Sequence, residues 1–263
     1  MNLLKRIWNW ILAMATIFSC VFAIFAWQQS NKAVELLNQK VEVVARQSEN
    51  LLAIIENIQP QDVSASLREE LRTATEMLAN PVTADDFFIK AFAAQADGNY
   101  NNAIKYYKKV IELAPKNVNA YNNLGLIFGE LAATKSGTEA DKLFKQAFEK
   151  FQKAIQIEPD YHLAYHCWGA FLLAFSKTKT GNEAEKLFKE AFEKCQKSVD
   201  LGGNNYNLAC CYAIMKNKEK ALFYLEKSVE QKEFPIDFVL NDEDWKFYFE
   251  DEDFKKIIEK YKS

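Results

Sequence analysis

His162 and His166 stand four residues apart, with Cys167 beside the second. On a helix that spacing puts both imidazoles on one face, where two ring nitrogens can share a metal ion. Asp160 and Cys195 are the candidates for a third ligand, but no spacing ties them to the pair. The alternative for a His pair on an apolar helix is ordinary packing, and the surrounding LAYHCWGAFLLAF is apolar enough to favour it. The sequence carries no P-loop, GxGxxG, GxSxG or HExxH pattern. The five cysteines form no CxxC pair, and the adjacent Cys210 and Cys211 cannot bridge each other comfortably. They read as small buried residues. The expectation is therefore a non-enzyme with no cofactor and no metal site.

The elements that would position these residues are helical. Ala, Leu, Lys, Glu and Phe dominate the 263 residues, while Gly (8) and Pro (5) are scarce. A net charge of -3 offers no basic footprint for nucleic acid.

The N-terminal part has two further periods. Residues 1–6 form a short flank, and 7–27 run from Ile7 to Trp27 without a charge. At 1.5 Å per residue this run reaches about 30 Å, a hydrocarbon core's thickness. Trp8, Trp10 and Trp27 sit near its ends, where indoles favour the interface. The expectation is an uncleaved single-pass transmembrane anchor. Lys5 and Arg6 before it favour an N-terminus inside and a body outside. Over 28–59, Val34, Leu37, Val41, Val44, Ser48, Leu51, Ile55 and Ile58 alternate steps of three and four, a heptad seam. That seam suits either a coiled coil with further copies of the chain or an amphipathic helix folded onto its own chain. Residues 60–83 hold a linker and a capping helix, with Leu67, Leu71, Ala74 and Leu78 on one face and Ser66 to Glu69 spaced as a capping box.

The body repeats itself. KLFKQAFEKFQK from Lys142 returns 44 residues later as KLFKEAFEKCQK from Lys186, identical at ten of twelve positions. Tyr121-x2-Leu124-Gly125-x2-Phe128 precedes the first copy, and Tyr165-x2-Trp168-Gly169-x2-Leu172 the second. Ala147-x3-Phe151 is followed eight residues on by Pro159, as Ala103-x3-Tyr107 is by Pro115. The small residues permit close helix approach, the aromatics fill gaps between pairs, and each Pro ends a second helix. This pattern resembles the tetratricopeptide repeat (TPR) family.

The resemblance implies an all-α fold, a right-handed superhelix of stacked antiparallel helix pairs, over 84–232. Its repeats fall at about 84–117, 118–161, 162–205 and 206–232, the middle two ten residues longer than usual. The extra residues are expected to lengthen helices around turns at Ser136-Gly137 and Thr180-Gly181. Residues 233–263 resemble the family's closing segment, and its acidic residues Asp242, Glu243, Asp244 and Glu250 to Asp253 are expected to form a wet outer face.

The resemblance also implies a concave groove lined by the first helix of each pair. Its candidate residues are Phe88, Phe92 and Gln95, then Asn119, Asn122, Leu126 and Glu130, then Leu163, His166, Ala170 and Leu173, then Tyr206 and Cys210. Phe88 and Phe92 occupy the positions where some members grip a terminal carboxylate with Lys and Asn, so that mode is not expected. What remains is a partly apolar surface for a helix or extended segment of a protein partner. Together with the anchor read from 7–27, this points to a membrane-anchored interaction scaffold in a bacterial inner membrane with no nucleic-acid partner; the alternatives are a structural protein that self-associates as a homo-oligomer through 28–59 and, third, a metal-dependent enzyme.

Overall fold

The computed structural model describes residues 32, 35, 42, 43, 46, 48–78, 81–232 and 236–262. The apolar run 7–27 and the seam positions Val34, Leu37, Val41 and Val44 lie outside the described residues. Among those described, every regular element is helical, and no helix is long and apolar enough to cross a membrane. The chain divides into two compact units, Met1–Asn80 and Pro81–Ser263.

In the first unit, helix α1 includes 48–55, and α2 spans Ala65–Met77. A short 3-10 turn at Pro60–Asp62 separates them. Leu51 and Ile55 of the seam are buried within this single chain, as are Leu71, Ala74 and Leu78. Asn50, Leu51 and Ile54 of α1 share a cleft with Ser66, Glu69, Thr73 and Ala74 of α2. The described end of the seam is thus covered without a second copy. The helix cap is not the expected one. Ser64, not Ser66, caps α2, its hydroxyl accepting from the Leu67 amide, because α2 begins two residues early.

The second unit is a solenoid of helix pairs: α3 (Ala84–Ala96) with α4 (Tyr100–Leu113), α5 (Val118–Ala133) with α6 (Gly137–Ile157), α7 (His162–Ser176) with α8 (Gly181–Asp200), and α9 (Tyr206–Ile214) with α10 (Lys218–Glu230). Then follow α11 (Ile236–Asn241), a 3-10 helix at Glu243–Tyr248 and α12 (Glu252–Tyr261). Short polar side chains start these helices. Thr83 and Asp86 form a reciprocal capping box, and Asn99, Asn117, Asn217 and Asp251 each accept from a first-turn amide.

The ten additional residues of the two middle pairs go into helix. Helices α6 and α8 run for 21 and 20 residues from Gly137 and Gly181, whose φ of 61° and 59° suits glycine. The extensions bury their own small core of Ala132, Ala140, Phe144 and Phe175. The Lys179 ammonium closes this end, 2.6 Å from the Asp141 carboxylate and 4.9 Å above the Phe175 ring. A larger core runs from α5 to α12 through Ala147, Phe151, Trp168, Ala191, Leu208, Ala221, Trp245 and Phe254.

Candidate functional site

The candidate groove residues divide by burial. Phe88, Phe92, Gln95, Asn122, Leu126, Leu173 and Tyr206 are buried, and so is Cys210. This corrects the expectation that they form open surface. Phe88 sets its ring edge on Tyr107 and faces Phe92, while Leu126, Leu173 and Tyr206 belong to the main core. The half-buried ones are Asn119 and Glu130 of α5 with Leu163, His166 and Ala170 of α7. A face that presents them therefore rests on two consecutive first helices.

Polar contacts tie this face to its neighbours. The Tyr161 hydroxyl, at the start of α7, donates to Asn119 Oδ1 of α5 at 2.6 Å. The Asn207 amide nitrogen of α9 lies 3.4 Å from both ring nitrogens of His166. Beneath the face, Asn123 Nδ2 donates to the Tyr107 hydroxyl at 2.9 Å, joining α5 to α4. Burial raises the Glu130 carboxyl above its ordinary range, and a hydrogen bond with Tyr100 partly offsets that.

The His pair does not make a metal centre with the other candidates. His162 carries a buried Nδ1 with no hydrogen-bond partner among the described residues. Its carbonyl accepts from the Ser198 hydroxyl of α8. The surroundings of His166 push its pKa down to about 4, first through burial and then through the neighbouring His162. Cys167 is buried, and its thiol is pushed up to about 12 by burial and then by Glu130, far from a reactive thiolate. Cys195 and Cys210 are raised as well.

A folded-state pKa below the ordinary 6.5 means that the unfolded chain takes up the proton more readily. The contribution of neutral His166 is thus fully present above about 6.5 and is lost as pH falls towards 4. Wild-type melting temperature is expected to fall between pH 7 and pH 5 on this account, and His166→Gln to flatten that slope. Thermal melts across this window check it; parallel slopes in the two proteins would refute it.

One cluster departs from the sequence-based expectation. Asp242 and Asp244 do not face outward as a wet cap. Asp242 Oδ2 accepts from the Tyr206 hydroxyl at 2.8 Å and from the Cys210 thiol at 3.7 Å. Asp244 Oδ1 lies 2.6 Å from the Lys177 ammonium. The sulfur and both carboxylates lie within 4.8 Å of one another, close enough to consider a cation. Their atoms are already engaged, however, and Lys177 supplies the positive charge. Desolvation raises the Asp244 carboxyl, with Lys177 acting against it. Nothing in the local sequence distinguishes these inward aspartates from the neighbouring Glu243 and Glu250; the one available signal was Trp245, an aromatic that had to be buried somewhere.

Among the described residues, the paired helices form an all-helical solenoid similar to those of tetratricopeptide repeats. A family model described as TPR repeat matches residues 96–131. A second, described as the plant-specific mitochondrial import receptor subunit TOM20, matches residues 115–221. No curated protein matches the sequence. Among solved structures, a thermophilic TPR protein of Thermus thermophilus is similar, with TM-score 0.57 and 18% identity over 76% of this chain and 95% of that one. PilF of Pseudomonas aeruginosa is also similar, with TM-score 0.51 and 18% identity over 85% and 90% of the two chains. At such identity these likenesses speak for the fold alone.

Proposed function

We propose that this protein is a membrane-anchored, non-catalytic scaffold whose TPR-type array holds a segment of another protein close to the bilayer. The observation that carries the reading is the half-buried face on α5 and α7, where Asn119, Glu130, Leu163, His166 and Ala170 alternate amide, acid and apolar groups. Such a face suits a helix or extended segment that offers both side chains and backbone polar groups. Burial would supply ~25 cal/mol per Å² of apolar surface, from which ordering and desolvation are subtracted. The likeness of 115–221 to an import receptor subunit supports a receptor for a protein segment. The uncharged run 7–27 supports the anchor, and Lys5 and Arg6 before it support a body on the outer side. Anchoring raises the local concentration of the array at the membrane. The reading as a non-enzyme is supported by the buried thiols of Cys167 and Cys210, whose pKa values burial raises.

The test is a crosslinking pull-down from membranes with the full chain and with a Leu163→Lys, Ala170→Glu variant. These two positions are chosen because both are half-buried, so the substitutions spare the core. Melting curves first establish that the variant folds. The expected result is a protein captured by the wild type and reduced by about tenfold or more in the folded variant. Equal capture by both would remove this face as the binding site.

A further inference from the structure

The register of the repeats places Tyr206 and Cys210 of α9 where His166 and Ala170 stand in α7 and where Asn122 and Leu126 stand in α5. In each case they fall two residues before and two after the residue preceding the small one, Leu208-Ala209, Trp168-Gly169 and Leu124-Gly125. They are the repeat-four members of the same groove rows. In α7 those rows are half-buried; in α5 and in α9 both residues are buried.

Part of what covers them is the chain's own C-terminal segment. Asp242 sits on Tyr206 and Cys210 with an extended backbone (φ -84°, ψ 119°), and its Oδ1 accepts from the Asp244 amide. Phe238 brings its ring to 5.4 Å from that of Tyr206. Asp244 then reaches the Lys177 ammonium just beyond the end of α7. The stretch Asn241–Asp244 thus links α9 to the end of α7, as a ligand crossing neighbouring first helices would. It does not fill the space. An open surface depression of about 410 Å³ lies beside it, lined by Lys177, Phe238, Asn241, Asp242 and Glu243. Lys177 and Phe238 are each about half exposed, at 48% for the lysine side chain and 47% for the phenylalanine, so both can be reached from outside.

We propose that Asn241–Asp244 is a self-ligand closing the repeat-four end of the groove, and that a partner segment extending across this end is acidic, its carboxylates replacing those of Asp242 and Asp244 on Tyr206 and Lys177. The proposal rests on the groove reading above and gives it a ligand chemistry. The groups here are a phenol, a thiol and an ammonium; each now faces a carboxylate, and the Lys177 ammonium repels a cationic side chain. The exchange is confined to the arm. Trp245, which follows it, is buried against Phe254 and stays in the cap.

The probe is a labelled synthetic peptide of this chain's own residues 238–246, added to the full chain in detergent. Its affinity is compared between wild type and an Asp242→Asn, Asp244→Asn variant, whose own arm holds the site less well. The peptide is expected to bind the variant about tenfold more tightly or better, and a peptide with both aspartates changed to asparagine to bind neither protein. Equal affinity of the acidic peptide for both proteins, or equal binding of the neutral peptide, would overturn the proposal. A second measurement needs only the wild type. Hydrogen exchange at the Asp244 amide, now bonded to Asp242, should accelerate at saturating peptide, and unchanged exchange there would also overturn it. If partner capture depends on Leu163 and Ala170 while these peptide results are negative, only the self-ligand falls. If capture does not depend on them, the groove reading itself has failed.

Discussion

Gly169→Val is expected to destabilise the array by about 3 kcal/mol, through overpacking that the surrounding helices cannot relieve. A Cβ at Gly169 would lie 2.6 Å from Cys195 Sγ, 3.1 Å from the Cys195 backbone nitrogen and 3.4 Å from the Ala191 carbonyl oxygen. The sulfur can be removed, but the backbone of α8 can retreat only by opening the α7–α8 pair. Ala191 is fully buried at this contact, and Trp168, beside the glycine, holds the Lys194 ammonium of α8 at 4.2 Å from its ring. The loss should therefore reach stability and the His166 face together. Gly169→Ala should cost less, and a Cys195→Ala background should recover part of that cost, because it removes the nearest obstacle and leaves the backbone one. Chemical denaturation of wild type, the two alanine variants and their combination forms a double-mutant cycle. A neutral Gly169→Val, or additive effects in the cycle, would mean that the two helices do not approach this closely.

Trp245→Ala should cost about 3–5 kcal/mol, in the range for deleting a large buried aromatic. The indole is fully buried, stacks on Phe254 with ring centroids 5.6 Å apart, and lies 6.1 Å from the Tyr248 ring. The damage should be local at first. The 3-10 segment contacts α9 and α12 contacts α10, so losing the indole frees the last helices before it reaches α5 to α8. Limited proteolysis should show new cuts at Lys246, Lys255 and Lys256 while most helical signal persists. An unchanged melting curve with an unchanged cleavage pattern would show that the tryptophan is not the anchor of the cap.

The two substitutions mark different degrees of legibility. Gly169 was legible because a repeat writes the same packing demand more than once. A small residue flanked by matching aromatics, in phase with a later Ala-x3-aromatic, has few physical explanations besides two helices pressed together. The all-helical class and the solenoid follow from that redundancy. The additional length of α6 and α8 was legible for a related reason. Phe144, Ala147, Phe148 and Phe151 keep a helical period through the added residues, and the structure keeps them in one helix.

The groove was less legible. Register names the residues on a face, but not how deeply each one sits. Phe88, Asn122 and Tyr206 occupy one row with His166, yet three are buried and one is half-buried. The difference comes from what covers each position, and the cover comes from distant parts of the chain. Tyr206 meets Asp242, 36 residues on, through a hydrogen bond that no local pattern encodes. An acidic run looks the same in sequence whether water or a phenol receives its carboxylates.

By itself, then, the sequence determined that the body is a stack of helix pairs, where the pairs turn, and which residues face the same side, because periodicity and small-residue spacing act locally and repeat. It also placed an uncharged, membrane-length run ahead of that body. Only the tertiary structure decided that the half-buried candidates sit on α5 and α7 while the others are buried, that the described end of the heptad seam is covered by its own chain, and that Asp242 and Asp244 turn inward. Those outcomes depend on long-range contacts, and a contact between residues tens of positions apart is set by the path of the whole solenoid rather than by the residues that make it.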